Sequence, residues 1–180
     1  MTKFMITLDS AKANEMQLTS IIKHIRSRSY MSGVDRDKLR VKSTGEVFTP
    51  TDLVQEVLDQ LPQEQFIDTD KKFLDPSCGD GQFLGEVLIR KMENGSTFEQ
   101  AIGTIYGVDL MQDNIELCRE RLLCGREDLR HIIEQNIICA DGLRYHYRFD
   151  GSPPYDPEFV TKKSKKEIKI DPRMDQSLFD

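Results

Sequence analysis

Apolar residues fall along this chain in two rhythms. Some recur every three or four positions and others form short unbroken runs, which predicts helices alternating with buried strands. From about Ser10 to Tyr30, Met16, Ile21, Ile22 and Ile25 stand among Lys23, His24, Arg26 and Arg28, the pattern of an amphipathic helix. Thr49-Pro50-Thr51-Asp52 has the chemistry of a helix start: Thr49 can cap, Pro50 suits the first helical position, and Asp52 falls where a capping-box acid belongs. Leu53, Val54, Val57, Leu58 and Leu61 then form one apolar face, and Pro62 ends the helix.

A first strand is expected at about Lys72–Asp75, followed by a Pro/Gly turn and a helix to about Glu93 with Phe83, Leu84, Val87 and Leu88 at helical spacing. Asn94-Gly95 is a plausible terminus, and Ser96-Thr97-Phe98-Glu99 reads as a capping box opening a short helix. Ile105–Asp109 is the second strand, and Gln112–Leu123 a helix with Ile115, Cys118 and Leu122 on its apolar side. A shorter helix near Glu127–Gln135 leads to strand three, Asn136–Asp141. Strands and helices alternating at this spacing predict right-handed crossovers and a parallel sheet. Beyond Asp141 the pattern weakens. Arg144–Phe149 alternates ring and charge faintly, Gly151–Pro157 has loop chemistry, and Lys162, Lys163, Lys165 and Lys166 form a short basic run.

Composition narrows the possible roles. A formal charge of −6 argues against a nucleic-acid footprint over the whole body. Locally the balance reverses: Lys23, Arg26, Arg28, Arg36, Lys38, Arg40 and Lys42 face only Asp35 and Asp37. That stretch reads either as a solvated face or as a patch for a nucleic-acid backbone. The four cysteines, Cys78, Cys118, Cys124 and Cys139, lack paired ligand spacing, so no metal site is expected and reduced thiols fit better. No apolar run reaches membrane-spanning length and no signal-peptide core opens the chain, so no membrane role and a cytoplasmic location are expected.

The candidate chemistry lies at the ends of the expected strands. Gly79 and Gly81 let the backbone approach a ligand closely and present N–H groups where the next helix begins. In an open parallel sheet ligands bind outside the carboxyl ends of the strands, and Asp75, Asp109 and Asp141 would all arrive there. An acid after strand one can engage a cationic group. One after strand two suits ribose hydroxyls, and one after strand three can accept from an exocyclic amine. Singly, each could equally cap a helix. Three in consecutive units point to one elongated ligand.

Asp75-Pro76-Ser77-Cys78-Gly79-Asp80-Gly81 resembles the cofactor loop of S-adenosylmethionine-dependent DNA adenine-N6 methyltransferases, in the group whose cofactor-binding half comes first and which includes modification subunits of restriction systems. Gly45-Glu46-Val47-Phe48-Thr49-Pro50 resembles that group's segment closing over the methionine end of the cofactor. The resemblance covers about Thr44 to Leu143 and implies a Rossmann-like α/β methyltransferase fold with a partial parallel sheet. It implies S-adenosylmethionine as cofactor, held by Phe48, Thr49, Pro50, Asp75, Pro76, Ser77, Gly79 and Gly81. Asp109 matches the acid on the ribose, and Asp141 the acid facing the adenine amine. The implied layout is a helical, basic extension over residues 1–43, a cofactor domain over 44–145, and a tail over 146–180 that is partly disordered or docked.

Methyl transfer to adenine also needs a flipped base held by an aromatic ring and polar acceptors. The family's Asp/Asn-Pro-Pro-aromatic loop has its nearest match in Ser152-Pro153-Pro154-Tyr155, the candidate catalytic residues. Serine replaces the amide or carboxylate, no apolar fourth strand precedes it, and the plainer reading is a proline-rich turn. Without a fourth strand, strand one keeps an open edge for the tail, a second subunit or a self-dimer to complete. The leading expectation is a DNA adenine-N6 methyltransferase, or its cofactor-binding half, acting on DNA. The alternative is a non-catalytic binder, a regulator or decoy of a restriction–modification complex. Transfer to RNA or protein is a third reading, because a cofactor half says little about the acceptor.

Overall fold

The computed structural model describes residues 2–27 and 49–155, with side chains of the first helix described for residues 13–26. Phe48, the cations from Arg28 to Lys42, the Gly45–Phe48 run and the lysines at 162, 163, 165 and 166 lie outside the described residues.

The elements run α1 (Thr2–Ser27), α2 (Thr51–Asp59), α3 (Glu64–Ile67), β1 (Phe73–Asp75), α4 (Gln82–Glu93), α5 (Phe98–Gly103), β2 (Ile105–Asp109), α6 (Gln112–Leu123), a 3-10 turn (Glu127–Leu129), α7 (Arg130–Asn136) and β3 (Ile137–Cys139). The three strands form a parallel sheet in the order β1-β2-β3. This is the Rossmann-like α/β class expected, in partial form. Among the described residues the outer edge of β1 has no strand partner.

Pleating sorts the side chains. Phe73 pairs with Ile105, and Asp75 with Gly107, which in turn pairs with Ile137; this set faces the helices. Between that face and the helices lies the main core, built from Leu84, Val87, Leu88, Ile115, Cys118, Leu122 and their neighbours. Gly107 permits the closest contact: a Cβ there would lie 2.8 Å from Leu84 Cδ1 and 2.9 Å from Cys78 Sγ. Helix α1 belongs to the same core through Ile21 and Ile25, and it crosses α4 at Gly85, where a Cβ would lie 2.8 Å from Ile25 Cγ2. Burying one such isoleucine contributes roughly 1.5–3 kcal/mol.

The opposite face carries Leu74, Tyr106, Val108 and Ile138. Its cover is the segment after β3: Tyr145 is buried with Val108 and Ala140, and Tyr147, Phe149 and Tyr155 pack against them. Residues 145–155 are therefore docked on the sheet, while Leu74 stays 49% exposed.

Local expectations shift in three places. Helix α1 already begins at Thr2, ahead of Ser10. In α2, Pro50 and not Thr49 occupies the cap position, and no side chain caps the helix because proline carries no side-chain acceptor; the Thr51 hydroxyl, already inside the first turn, accepts from Gln82 Nε2. Only Val54 and Leu58 of its five-residue apolar face are buried; Leu53, Val57 and Leu61 stay more than 40% exposed. The reason is that α2 packs on α4 along one narrow line. The capping box before α5 is real but sits one residue later, with Thr97 and Gln100 in reciprocal bonds at 3.2 and 2.9 Å.

Candidate functional site

The turn between β1 and α4 is held from three sides. Gly79 and Gly81 sit at φ +52° and +85°, left-handed values that glycine adopts without penalty. The Cys78 N–H donates to the Val108 carbonyl at 2.9 Å, laying the turn over the end of β2. A Cβ on Gly81 would come within 2.6 Å of Cys118 Sγ, so α6 leaves no room for a larger residue. Asp80 pairs with Arg121 of α6 at 2.7 Å. Arg121 also donates to Gln82 Oε1 at 2.9 Å, and Gln82 Nε2 donates to Thr51 Oγ1 at 2.7 Å. That chain of bonds brings the start of α2, with Thr49 and Pro50 just ahead of it, to the N-terminal end of α4.

The three strand-end acids lie at the same edge of the sheet. Asp75 and Asp109 stand in the same pleat phase on neighbouring strands, since Asp75 pairs with Gly107. Asp141 lies two residues beyond Cys139, the partner of Asp109, just past the end of β3. The loops also touch: a Cβ on Gly142 would lie 2.6 Å from the Pro76 carbonyl oxygen, so the turn after β1 reaches over β2 to the loop after β3.

Each carboxylate is oriented by backbone donors. Asp75 Oδ1 accepts from Ser77 N–H at 3.0 Å. Burial pushes its carboxyl above the usual range; the Ser77 bond opposes this and the nearby Asp109 charge adds to it. Asp109 Oδ2 accepts from Gly79 N–H at 3.1 Å, while Oδ1 accepts from Met111 N–H at 2.8 Å and Asn114 Nδ2 at 3.3 Å. A carboxylate offers about four acceptor positions, so Oδ2 retains capacity for a ligand hydroxyl. Asp141 Oδ1 accepts from Leu143 N–H at 3.0 Å, and Oδ2 lies 3.1 Å from Arg144 Nε.

Cys78 is buried. Hydrogen bonding to Cys118 and burial push its thiol well above the ordinary range. All four cysteines are free thiols, as the sequence suggests. Among the described residues no His, Cys, Asp and Glu group is arranged to hold a metal.

Of Ser152-Pro153-Pro154-Tyr155, Tyr155 packs on the sheet face opposite the helices. Arg148 N–H donates to His146 Nδ1 at 3.1 Å, which fixes the proton on Nε2. Nε2–H then donates to the Pro153 carbonyl at 2.6 Å and faces Ser152 Oγ at 3.1 Å. The Ser152 N–H donates to Asp150 Oδ1 at 2.9 Å. The Tyr155 ring lies on the patch around Val108, Ala140 and Tyr145, and its hydroxyl accepts from Asp141 N–H at 3.0 Å.

Several residues around the crevice escape a sequence reading. Asp80 lies inside the motif but is silent until Arg121 is seen to reach it, and Arg121 is indistinguishable from any other helix cation until folded. Leu110, next after the second acid, and Leu143, two residues after the third, are 63% and 97% exposed. An apolar residue just past a strand-end acid is the only signal they give.

Among the described residues no helix is long and apolar enough to cross a membrane. No solved structure matches the chain. The type II methyltransferase M.VspI of Vibrio sp. (strain 343) is 31% identical to it over 108 residues, 59% of this chain and 22% of that protein. The chain thus spans at most a minor part of this relative's length. The family described as N-6 DNA Methylase matches residues 37–178, most of the chain. The chain belongs to the N-6 DNA methylase family, whose reaction calls for a methyl donor and a DNA acceptor.

Proposed function

We propose that this chain is the S-adenosylmethionine-binding half of a DNA adenine-N6 methyltransferase of restriction–modification type. One observation carries the reading: Asp75 and Asp109 share a pleat phase at the carboxyl edge of adjacent strands, Asp141 follows the end of the third, and the Pro76 and Gly142 loops meet across that edge. The donor set fits the group. Asp75, partly buried and in no ion pair among the described residues, suits the cationic methionine end, with Pro76, Ser77, Gly79 and Gly81 shaping the turn beside it. Phe48, Thr49 and Pro50 would close that end. Asp109 Oδ2 can take a ribose hydroxyl, and Asp141 the adenine amine, with the exposed Leu110 side chain offering apolar surface for the purine.

S-adenosylmethionine supplies a sulfonium methyl group. The chain's own residues bind and orient it, so that alignment with an acceptor amine lowers the entropic part of the barrier. Ser152 is bonded within its own segment and the Tyr155 hydroxyl is taken by the Asp141 N–H, so the acceptor side of the reaction falls to polypeptide beyond the described residues, in the same chain or a second subunit. A regulator or decoy would keep the same pocket without supporting transfer. Supplying a target-recognising partner and DNA with labelled methyl donor separates the two.

The pocket itself is tested by calorimetry of S-adenosylmethionine binding to the whole chain. Asp109→Ala is expected to cost about 1.5–3 kcal/mol, near tenfold to a hundredfold in affinity. Asp109→Asn, which preserves volume and one acceptor, should lose less. Equal affinity in all three proteins would overturn the ribose assignment.

A further inference from the structure

The segment after β3 is more than a cover for the sheet. Tyr147 and Phe149 hold left-handed backbone conformations at φ +54° and +51°, rare for aromatic residues and costing about 1–2 kcal/mol each. What holds them is specific. Tyr145 is buried and meets the Tyr147 and Phe149 rings at 5.0 and 5.2 Å, and Phe149 packs on Tyr106 at 4.8 Å. Gln135 donates to the Phe149 carbonyl at 2.8 Å, and Phe149 N–H donates to the Tyr145 hydroxyl at 3.3 Å.

From this platform two hydroxyls converge on adjacent residues of the crevice loop. Tyr147 donates to the Gly142 carbonyl at 2.5 Å, and the Tyr155 hydroxyl accepts from the Asp141 N–H at 3.0 Å. Gly142 is the residue whose backbone rests on Pro76. Packing alone would be served by phenylalanine at both positions, so the hydroxyls answer to the loop and not to the hydrophobic patch.

We infer that Tyr147 and Tyr155 are positioning residues: they clamp Asp141-Gly142 against Pro76 and so fix the acid that recognises the purine amine of the nucleoside. The inference rests on the pocket proposed above and adds what determines its base selectivity. Tyr155 is thereby a part of the cofactor side of the crevice.

The test uses the whole chain, Tyr147→Phe and Tyr155→Phe, which retain the rings, and two ligands, S-adenosylhomocysteine and S-inosylhomocysteine, which differ in the 6-amino group. Binding by calorimetry is paired with thermal unfolding. The wild-type chain should prefer the adenosyl ligand. Each variant should bind that ligand about two- to tenfold more weakly while its inosyl affinity holds, shrinking the ratio, as expected for one misplaced hydrogen bond. A variant that weakens both ligands equally, or leaves the ratio at the wild-type value, overturns the clamp while the pocket stands. A wild-type chain that binds neither ligand overturns the pocket reading, and the clamp with it.

Discussion

Asp80 and Arg121 meet at 2.7 Å with side chains only 7% and 2% exposed, pinning the glycine turn to the last turns of α6. Taking either charge away removes this buried ion pair from the other, a loss of about 3–5 kcal/mol. Asp80→Ala should therefore move the urea midpoint down sharply. An Asp80→Leu/Arg121→Met pair should recover most of that loss, because the desolvation cost disappears with both charges. A single variant within experimental error of the parent would show the pair to be inert.

Gly81 faces two constraints at once, a φ of +85° and the Cys118 sulfur 2.6 Å from where a Cβ would sit. Gly81→Ala is expected to cost about 1–3 kcal/mol through strain and overpacking. Shortening the obstacle in Gly81→Ala/Cys118→Ala should return the steric share and leave the backbone share. Denaturant unfolding of the two single variants and the double variant reads the partition directly, and strict additivity would contradict the contact.

Asp75 gives stability a pH dependence of definite sign. Its folded carboxyl lies above the unfolded value because burial disfavours the charge. Its stabilising contribution is then complete below the unfolded pKa and lost as pH rises through the folded one. Asp75→Asn should consequently melt higher than the parent at neutral pH, the advantage fading in acid, while binding S-adenosylmethionine more weakly. Thermal scans across that pH range, with and without the ligand, check both halves; a variant less stable at neutral pH would reverse the sign.

What the sequence tells in advance follows how local the determinants are. The bounds of β2 and α6, Ile105–Asp109 and Gln112–Leu123, agree with the apolar rhythm because each element presents one clear buried face. Helix α2 defeats the same reasoning. Leu53, Val57 and Leu61 look as buried as Val54 and Leu58 until the single line of contact with α4 is known. Asp75, Asp109 and Asp141 could be placed on one edge from strand order alone, since parallel strands deliver their ends together. Tyr147 could not be assigned. Its backbone leaves the extended region at every second residue, so neither period describes it, and its partner Gly142 is defined only by the contact with Pro76.

All the described helices pack against one side of the sheet, and β1 stands at its border with Leu74 half bare. Among the described residues no strand lies along the outer edge of β1, so turbidity or a rising hydrodynamic radius with an unchanged circular dichroism spectrum would report association along that border and not denaturation.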